Sequence, residues 1–401
     1  MSSGGNLDQS PPDTGDEVQF GGREEGDRHR RPWLSGLLLF AVVVAAIGFL
    51  IAHYAPHHRM PRPAVAVTDT GKPILGVTAG WELFARGPDA LVAIALAKGK
   101  VTRTEVPALE SGNPGVSFVL GPHEVVIRSY DFVPGYVIRD GAPAQRLTGT
   151  MASGGQLIPG SVPGEAWQQA SGSSTSPLVL VTLAGRKVGP TITLRGSESL
   201  APTMTADGRG DLLVLSNLGQ WYDAGPGWFH RVHGDVIATG PNHWLMLSCP
   251  HGQPCRNVVV DTANGTQQTV PGIPLRSATY IWPPNGVISP NGTMAAIMDS
   301  GAPPAVHLIN LSSGADTRLA LPVIQQPVDE SMAWSPDGRW LFVTQDGKLI
   351  AVNDQTGRIT NLGVTLPYVT QVAVRPAAGL GTASQNVIFD RAIPTRAVTG
   401  R

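Results

Sequence analysis

Two cysteines are the residues of this chain whose type and spacing most directly suggest chemistry. Cys249 and Cys255 enclose "PHGQP" within "MLSCPHGQPCRNVVV", a stretch typical of a hairpin with a tight loop. Opposed positions on paired strands hold Cβ atoms roughly 4–5.5 Å apart, near the separation that a disulfide requires. The alternative is a metal site that includes His251, but it has no second pair of ligands and no zinc-type spacing. We predict a structural disulfide, which an even cysteine count outside the cytoplasm also favours.

Histidines form two further groups that could bind a metal. His230 and His233 lie close to Asp235 in "WFHRVHGD", and three histidines occur within residues 53–58. The simpler interpretation is a set of polar surface residues in the first group and a polar linker in the second, where no acid or cysteine accompanies the imidazoles. We predict neither a metal site nor a bound cofactor.

Aromatic side chains are concentrated in the stretch "QWYDAGPGWFHRV", residues 220–232. Trp221, Tyr222 and Trp228 could line a groove for a carbohydrate or a peptide. The simpler interpretation is that they pack between neighbouring blades, as large aromatic side chains commonly do. Both interpretations stay open, and these three residues are the candidate ligand-binding residues of the sequence.

Known catalytic motifs do not occur in the chain. There is no G-x-S-x-G elbow and no P-loop, and "HEVVI" has Ile127 where a zinc protease needs its second histidine. "SPDGRW" (335–340) is one residue shorter than a sialidase Asp-box. "AVNDQTGRITNL" (351–362) has leucine where the docking repeat of quinone-dependent dehydrogenases has tryptophan. We therefore predict no catalytic residue and a protein that is not an enzyme.

The elements that carry these residues repeat along the chain. "SMAWSPDGRWLFVTQDGKLIAVNDQTGRITNL" (331–362) reads as four short strands, joined by Asp-Gly and Thr-Gly turns that accept positive φ. The pattern recurs clearly at 201–232, 235–270 and 286–321, and more faintly at 75–106, 115–148 and 156–195. Four-stranded units of about 35–45 residues, repeated without helices, predict an all-β β-propeller.

Both ends of the predicted propeller supply strands that have no partners of their own. These are two strands within "AVAVTDTGKPIL" (64–75) and one strand each in "YVTQVAVRP" (368–376) and "QNVIFD" (385–390). We predict that they form one shared blade, which closes a propeller over residues 64–393 and removes exposed sheet edges. Seven complete units and the shared blade give eight four-stranded blades by strict repeat count. Seven is the alternative, because the three faint units are open to miscounting.

Two stretches carry a resemblance to a known family. "AWSPDGRWLFV" (333–343) and "VISPNGTMAAIM" (287–298) are similar to the repeat of WD40-like and TolB-like β-propellers, especially membrane-anchored bacterial ones. The good matches cover residues 201–362, and weaker ones extend over about 64–393. The resemblance implies a propeller that serves as a binding or scaffolding platform.

A long apolar segment precedes the repeats. The run "WLSGLLLFAVVVAAIGFLIA" (33–52) has no charged residue and would span about 30 Å as a helix. We predict a single transmembrane signal-anchor helix at 33–54, the alternative being a cleaved signal peptide, whose apolar core is usually shorter. The arginines before it predict a cytoplasmic N-terminus and a propeller outside the cytoplasm. We further predict a disordered cytoplasmic tail at 1–32, a linker at 55–63 and a flexible tail at 394–401.

Charge restricts the class of partner. The net charge is −1, and residues 1–32 hold seven acids and four arginines, so the remainder carries only about +2. A body this close to neutral lacks the basic surface of a nucleic-acid binder. We predict a membrane-anchored binding, scaffold or sensor module for an unknown protein or cell-envelope ligand. The alternatives are an enzyme with a central-funnel site (lyase, lactonase or glycan hydrolase) and a structural envelope spacer.

Overall fold

The computed structural model describes fifteen stretches of the chain between residues 65 and 376. They are 65–87, 89–106, 116–129, 135–152, 157–169, 177–192, 203–215, 220–225, 228–271, 286–299, 305–319, 332–345, 348–365, 369 and 371–376. Within these stretches no helix has both the length and the apolar character needed to cross a bilayer. The predicted membrane segment at 33–54 lies outside the described residues, as do the predicted tails and linker at 1–32, 55–63 and 394–401.

The described residues form β-strands almost throughout. In chain order the strands are β1 (Val65–Asp69), β2 (Trp81–Arg86), β3 (Ala90–Ala95), β4 (Lys100–Glu105), β5 (Val116–Leu120), β6 (Glu124–Ser129), β7 (Tyr136–Arg139), β8 (Gln145–Arg146), β9 (Leu157–Pro159), β10 (Glu165–Gln169), β11 (Leu178–Thr182), β12 (Lys187–Ile192), β13 (Thr203–Ala206), β14 (Leu212–Leu215), β15 (Trp221–Gly225), β16 (Trp228–Arg231), β17 (Asp235–Thr239), β18 (His243–Ser248), β19 (Arg256–Asp261), β20 (Gln267–Thr269), β21 (Gly286–Ile288), β22 (Met294–Asp299), β23 (Ala305–Asn310), β24 (Asp316–Leu319), β25 (Met332–Trp334), β26 (Trp340–Gln345), β27 (Lys348–Asn353), β28 (Ile359–Thr365) and β29 (Gln371–Pro376). Three short 3₁₀ helices accompany them, Ile74–Gly76, Leu96–Lys98 and Gly149–Ala152.

These strands form seven antiparallel units. Each unit contains four neighbouring strands, in order from an inner strand to an outer strand. Unit 1 is β29-β2-β3-β4 with β1 as a fifth, outermost strand, and units 2 to 7 are β5–β8, β9–β12, β13–β16, β17–β20, β21–β24 and β25–β28. Inner strands of neighbouring units run side by side, and β17 pairs with β21 in parallel. Sequence-consecutive strands therefore pair within a unit, and the units follow one another as in a β-propeller.

The core consists of seven apolar clusters, one between each pair of neighbouring units. Strands in the middle of a unit are apolar on both faces because a unit packs on both sides, as in β14, whose four residues are all buried. Clusters join units 1–2 (Phe84 with Phe118), 2–3 (Val126 with Val181), 3–4 (Trp167 with Leu212), 4–5 (Leu213 with Trp244), 5–6 (Leu245 with Ile297), 6–7 (Leu308 with Ile350) and 7–1 (Phe342 with Leu83). The succession of clusters thus returns from unit 7 to unit 1.

Arg375, on strand β29, holds the C-terminal strand in the first unit. Its guanidinium donates to the Gly121 carbonyl (2.7 Å), to Glu82 Oε2 (2.8 Å) and to Asp140 Oδ1 (2.8 Å), and lies 4.6 Å from the ring centroid of Phe84. The side chain is only 5% exposed. Arg375 therefore ties the C-terminal strand to β2 of its own unit and to two loops of unit 2.

The arrangement of the first unit differs from the sequence expectation. The stretch 64–75 was expected to give two strands, but it gives β1 followed by the 3₁₀ helix at Ile74–Gly76. The strict count of eight treats 75–106 and the shared blade as separate units. In the structure both belong to one five-stranded sheet, because 75–106 contributes three strands and β29 supplies its inner one. The predicted strand at 385–390 lies outside the described residues.

Candidate functional site

Six turns that connect inner strands to second strands lie at one end of the units and form the surface that we name the turn ring. It consists of residues 121–124, 160–165, 207–211, 240–243, 289–293 and 335–339, one turn each from units 2 to 7. Loops at strand ends are where propellers and other β scaffolds carry binding residues. The turn ring is therefore the candidate binding surface.

Local chemistry fixes the conformation of each turn. Five turns contain a proline, namely Pro122, Pro163, Pro241, Pro290 and Pro336, and proline removes one backbone degree of freedom. In the "SPDG" turn, Ser335 Oγ pairs with Asp337 Oδ1 at 2.5 Å and accepts from the Trp340 N–H at 2.9 Å. Ser289 and Asn291 repeat this arrangement in unit 6. The repeated motif thus has a structural role, which agrees with its recurrence at a fixed place in the unit.

Successive turns also contact each other. Gly210 has φ +98° and packs so closely on Ser161 that a Cβ there would collide with the Ser161 backbone. Gly208 packs in the same way on the Gly240 backbone of unit 5. Indole N–H groups bond across these two boundaries, from Trp167 to the Gly210 carbonyl (2.9 Å) and from Trp244 to the Asp207 carbonyl (2.7 Å). The turns are therefore held as one continuous surface.

The unit 4 turn has no proline and is organised by a buried carboxylate instead. Asp207 is 0% exposed, and its Oδ1 accepts from the backbone N–H groups of Arg209 (2.7 Å), Gly210 (2.9 Å) and Asp211 (2.9 Å). Its Oδ2 accepts from Arg209 Nε at 2.6 Å. The turn itself thus supplies four hydrogen bonds to this carboxylate, one of them from a charged guanidinium.

Arg209 extends the cluster to the third strand of unit 4 and to unit 5. Its Nη2 donates to Asp223 Oδ2 at 2.7 Å, and its Nη1 reaches the Thr262 carbonyl of unit 5 at 3.4 Å. The guanidinium also lies 5.2 Å from the Trp244 ring centroid. We name Asp207, Arg209 and Asp223 the interunit ion cluster.

Asp223 is the member of this cluster with unused binding capacity. Its side chain is 14% exposed, and Oδ1 is buried with no hydrogen-bond partner among the described residues. Burial raises the pKa of Asp223 to about 7, against the lowering effect of Arg209, and the negative charges of Asp207 and Asp211 act in the same direction as burial. His230 is its cross-strand neighbour on β16. Asp223 is therefore a buried acid that titrates near neutral pH.

This raised pKa predicts how stability changes with pH. The folded protein keeps a proton on Asp223 up to about pH 7, whereas the unfolded chain loses it near 3.8. The folded state therefore binds more protons in between, and the free energy of unfolding should fall as pH rises from about 4 to 7. Asp223→Asn cannot ionise, so the difference in unfolding free energy between it and the natural protein should change by roughly 1–3 kcal/mol over that range. Urea titrations at several pH values measure this.

A matched variant controls for the loss of any acid. Asp235→Asn removes an exposed carboxylate at the start of β17, so it should leave the pH dependence of the natural protein in place. If the Asp223→Asn and natural curves run parallel from pH 4 to 8, Asp223 does not titrate near neutral pH.

The two cysteines are joined in the structure. Cys249 and Cys255 form a disulfide with a Cα–Cα separation of 4.1 Å. They occupy the next opposed position beyond the last pair of β18 and β19, Ser248 with Arg256, and the loop between them is largely exposed. This hairpin lies at the opposite end of unit 5 from the turn ring, because β18 runs away from it.

The three candidate aromatic residues do not share one environment. Trp221 is 6% exposed and packs in the cluster between units 4 and 5 with Leu213 and Trp244. Tyr222 points to the other face of β15, where its ring stacks on Phe229 at 4.7 Å. Trp228 begins β16, opposite Gly225. Trp221 thus has the packing role that the sequence left open, and a shared aromatic groove is not assembled from Trp221 and Tyr222.

The histidine group of the same unit was a candidate for metal binding. Among the described residues, no three His, Cys, Asp or Glu side chains gather in a way that could hold a metal ion. His230 and His233 lie on either side of the end of β16, and Asp235 begins β17.

The interunit ion cluster was missed from the sequence. The only available signal was "DGRGD" (207–211), a charged turn where its equivalents carry proline.

Comparisons with known proteins add similarity of structure only. No family model matches the chain, and no curated protein matches it. Solved structures with similar coordinates include a putative 6-phosphogluconolactonase from Bacteroides fragilis (12% identity, 75% of this chain and 99% of that chain, TM-score 0.48), AztD from Citrobacter koseri (12%, 74% and 98%, 0.44) and TolB from Acinetobacter baumannii (14%, 73% and 64%, 0.38).

Proposed function

We propose that this protein is a binding module, a seven-bladed β-propeller whose turn ring binds an extracytoplasmic protein or a cell-envelope ligand. The seven units are the blades in this proposal, closed by β29 on the inner side of the first. A scaffold or sensor role would use the same surface.

The observation that carries the proposal is the rigidity of the turn ring. Five of its turns contain proline, and the sixth is fixed by Asp207 and accepts indole N–H groups from strands of units 3 and 5. A surface that is already ordered loses little conformational entropy on binding. Exposed polar side chains such as Asn242, Asp337 and Arg339 are available on it for hydrogen bonds.

A catalytic role receives less support from the same residues. The Asp207 carboxylate is occupied by four hydrogen bonds inside its own turn. Asp223 has a pKa suited to proton transfer but lies between units 4 and 5, on a third strand rather than at an inner strand end. General acid–base chemistry needs convergent groups around a substrate. We therefore place binding before catalysis, and before a spacer, which would have no specific partner.

The proposed location follows from the sequence. The apolar segment 33–54 would anchor the chain in the cell membrane as a single pass, with the N-terminus in the cytoplasm and the propeller outside it. A disulfide between Cys249 and Cys255 is compatible with an oxidising compartment. The ligand would then be an envelope component or the exported part of another protein.

Site-specific photocrosslinking in living cells tests the proposal. A photoreactive phenylalanine derivative is placed at Asn242 or Arg339 on the turn ring, and at Gln268 on outer strand β20 as an equally exposed control. We expect one crosslinked product of defined mass from both ring positions and none from Gln268. Equal products from all three positions, or none from the ring, would contradict a turn-ring binding site. Fractionation and protease added outside the membrane, applied to the same cells, test the anchor and its orientation.

A further inference from the structure

Strand β1 is an unusual addition to the fold. It lies outside β4 as a fifth strand, whereas the other six units have four strands in the described part of the chain. Four of its five residues are exposed, and Val67, at 54%, is the most exposed large apolar side chain described. β1 pairs with β4 through continuous register from Val65–Thr104 to Asp69–Lys100. No described strand pairs with its other edge.

The hydrogen-bonding groups of that free edge can be assigned. The Thr70 N–H donates to the Gly99 carbonyl at 3.1 Å, just beyond the paired residues. In an antiparallel pair, bonded positions alternate along the strand, so Thr68 and Ala66 also face β4. The backbone N–H and C=O groups of Val65, Val67 and Asp69 therefore point away from the sheet.

Other outer strands carry features that prevent further pairing. Sheet edges are commonly protected by shortness, charge, proline or a bulge. Here β8 has two residues and β20 three, β12 contains Pro190 and a register shift, β16 and β24 carry exposed charged or imidazole side chains, and β28 pairs through a register shift. β1 has none of these features within Val65–Thr68, and its one charged residue, Asp69, lies at its C-terminal end. It is the one outer strand among those described that stays regular, apolar and accessible.

We propose that the free edge of β1 is a second interaction surface, which binds an extended peptide segment of another protein by strand addition. The three outward residues offer main-chain bonds on one side of the added strand, and Val65 and Val67 offer an apolar face for β-branched side chains. This surface is separate from the turn ring and does not depend on it.

A peptide fits this edge better than a second copy of the chain does. A strand of five residues is about 17 Å long, so pairing of two β1 strands would bury far less than the roughly 1,600 Å² typical of specific interfaces. Short linear peptides, in contrast, commonly bind through one added strand. The occupant is thus a proline-free, β-branched segment with an extended conformation.

The test uses a defined probe, the peptide acetyl-Lys-Thr-Val-Thr-Val-Thr-Lys-amide, with full-length protein in detergent. We expect binding that slows hydrogen exchange at Val67 and Asp69, whose amides point outward. Val67→Pro removes one outward N–H but no bond to β4, a position where proline is tolerated. It should weaken binding by at least about tenfold, while Val67→Thr, which keeps the N–H and the branched shape, should bind within about twofold of the natural protein.

Several outcomes would overturn the proposal. A probe with proline in place of both valines should not bind, and equal binding of that peptide would exclude strand addition. Strand addition would also be excluded if the probe left amide hydrogen exchange at Val67 and Asp69 of the natural protein unchanged, a result that relies on no variant. Self-association of the natural protein that Val67→Pro abolishes would identify a second copy as the occupant instead of a peptide.

Discussion

Replacing Asp207 with alanine is expected to lower the free energy of unfolding by about 3–5 kcal/mol, the range for removal of one partner from a buried charged network. The change leaves three backbone N–H groups of the unit 4 turn without an acceptor. It also removes a carboxylate that pairs with Arg209, whose side chain is 17% exposed. A fully buried donor without a partner costs about 1–3 kcal/mol, and these three donors are partly buried. Chemical denaturation monitored by tryptophan fluorescence measures the loss.

The matched control is Asp337→Ala in the equivalent turn of unit 7. Asp337 is exposed and accepts only from the Ser335 hydroxyl and the Arg339 N–H, so its removal should cost about 1 kcal/mol or less. Asp207→Asn should lie between the two alanine variants, since it keeps one acceptor oxygen and loses the charge. Equal losses at Asp207 and Asp337 would mean that burial of the unit 4 carboxylate has no special role.

The repeat could be predicted from the sequence because its determinants are local. Strands of unit 6 lie within 286–319, against a predicted 286–321, and the turn at Ser289–Gly292 connects the first strand to the second as expected. A tight turn and the strand pair beside it involve residues only a few positions apart. Composition, alternation and turn residues are therefore sufficient to mark each unit.

Closure could be predicted only in outline, because it depends on contacts between distant parts of the chain. Residues of β2 pair with residues of β29, for example Glu82 with Arg375, and no local pattern encodes that register. The sequence indicated that both ends contribute strands, but not that they join residues 81–105 in one sheet. The strict count therefore treated residues 75–106 and the strands from the chain ends as separate units, whereas they share one sheet.

The candidate site shows the same division between local and distant determinants. The paired cysteines are six positions apart and were predictable as opposed hairpin residues. The interunit ion cluster combines Asp207 with Asp223 and a carbonyl at Thr262, which come together only when units 4 and 5 pack. Trp221 was ambiguous because alternation fixes which face of a strand it occupies but not what covers that face.

Replacing Arg375 with methionine is expected to lower the free energy of unfolding by about 2–3 kcal/mol, and to do so mainly by loosening the C-terminal strand. Methionine preserves much of the apolar contact with Phe84 but leaves the Gly121 carbonyl, Glu82 and Asp140 without their shared donor. The effect is kept below the full value for a buried ion pair because Asp140 is 52% exposed and can return to water. Amide hydrogen exchange should accelerate in β29 and β2 more than in β26.

Arg139→Met controls for the loss of a surface arginine. Arg139 donates to Gln145 at 2.7 Å in an exposed pair within unit 2, so its removal should cost less than about 0.5 kcal/mol and leave exchange in β29 unchanged. The comparison of Arg375→Met with Arg139→Met is informative because β29 is the only strand of its unit that comes from the far end of the described chain. Local opening of β29 should therefore need less free energy than opening of the other strands once these side-chain contacts are removed. Uniform acceleration over all units in Arg375→Met would instead show that the ring opens as a whole, with closure held by strand pairing and not by Arg375.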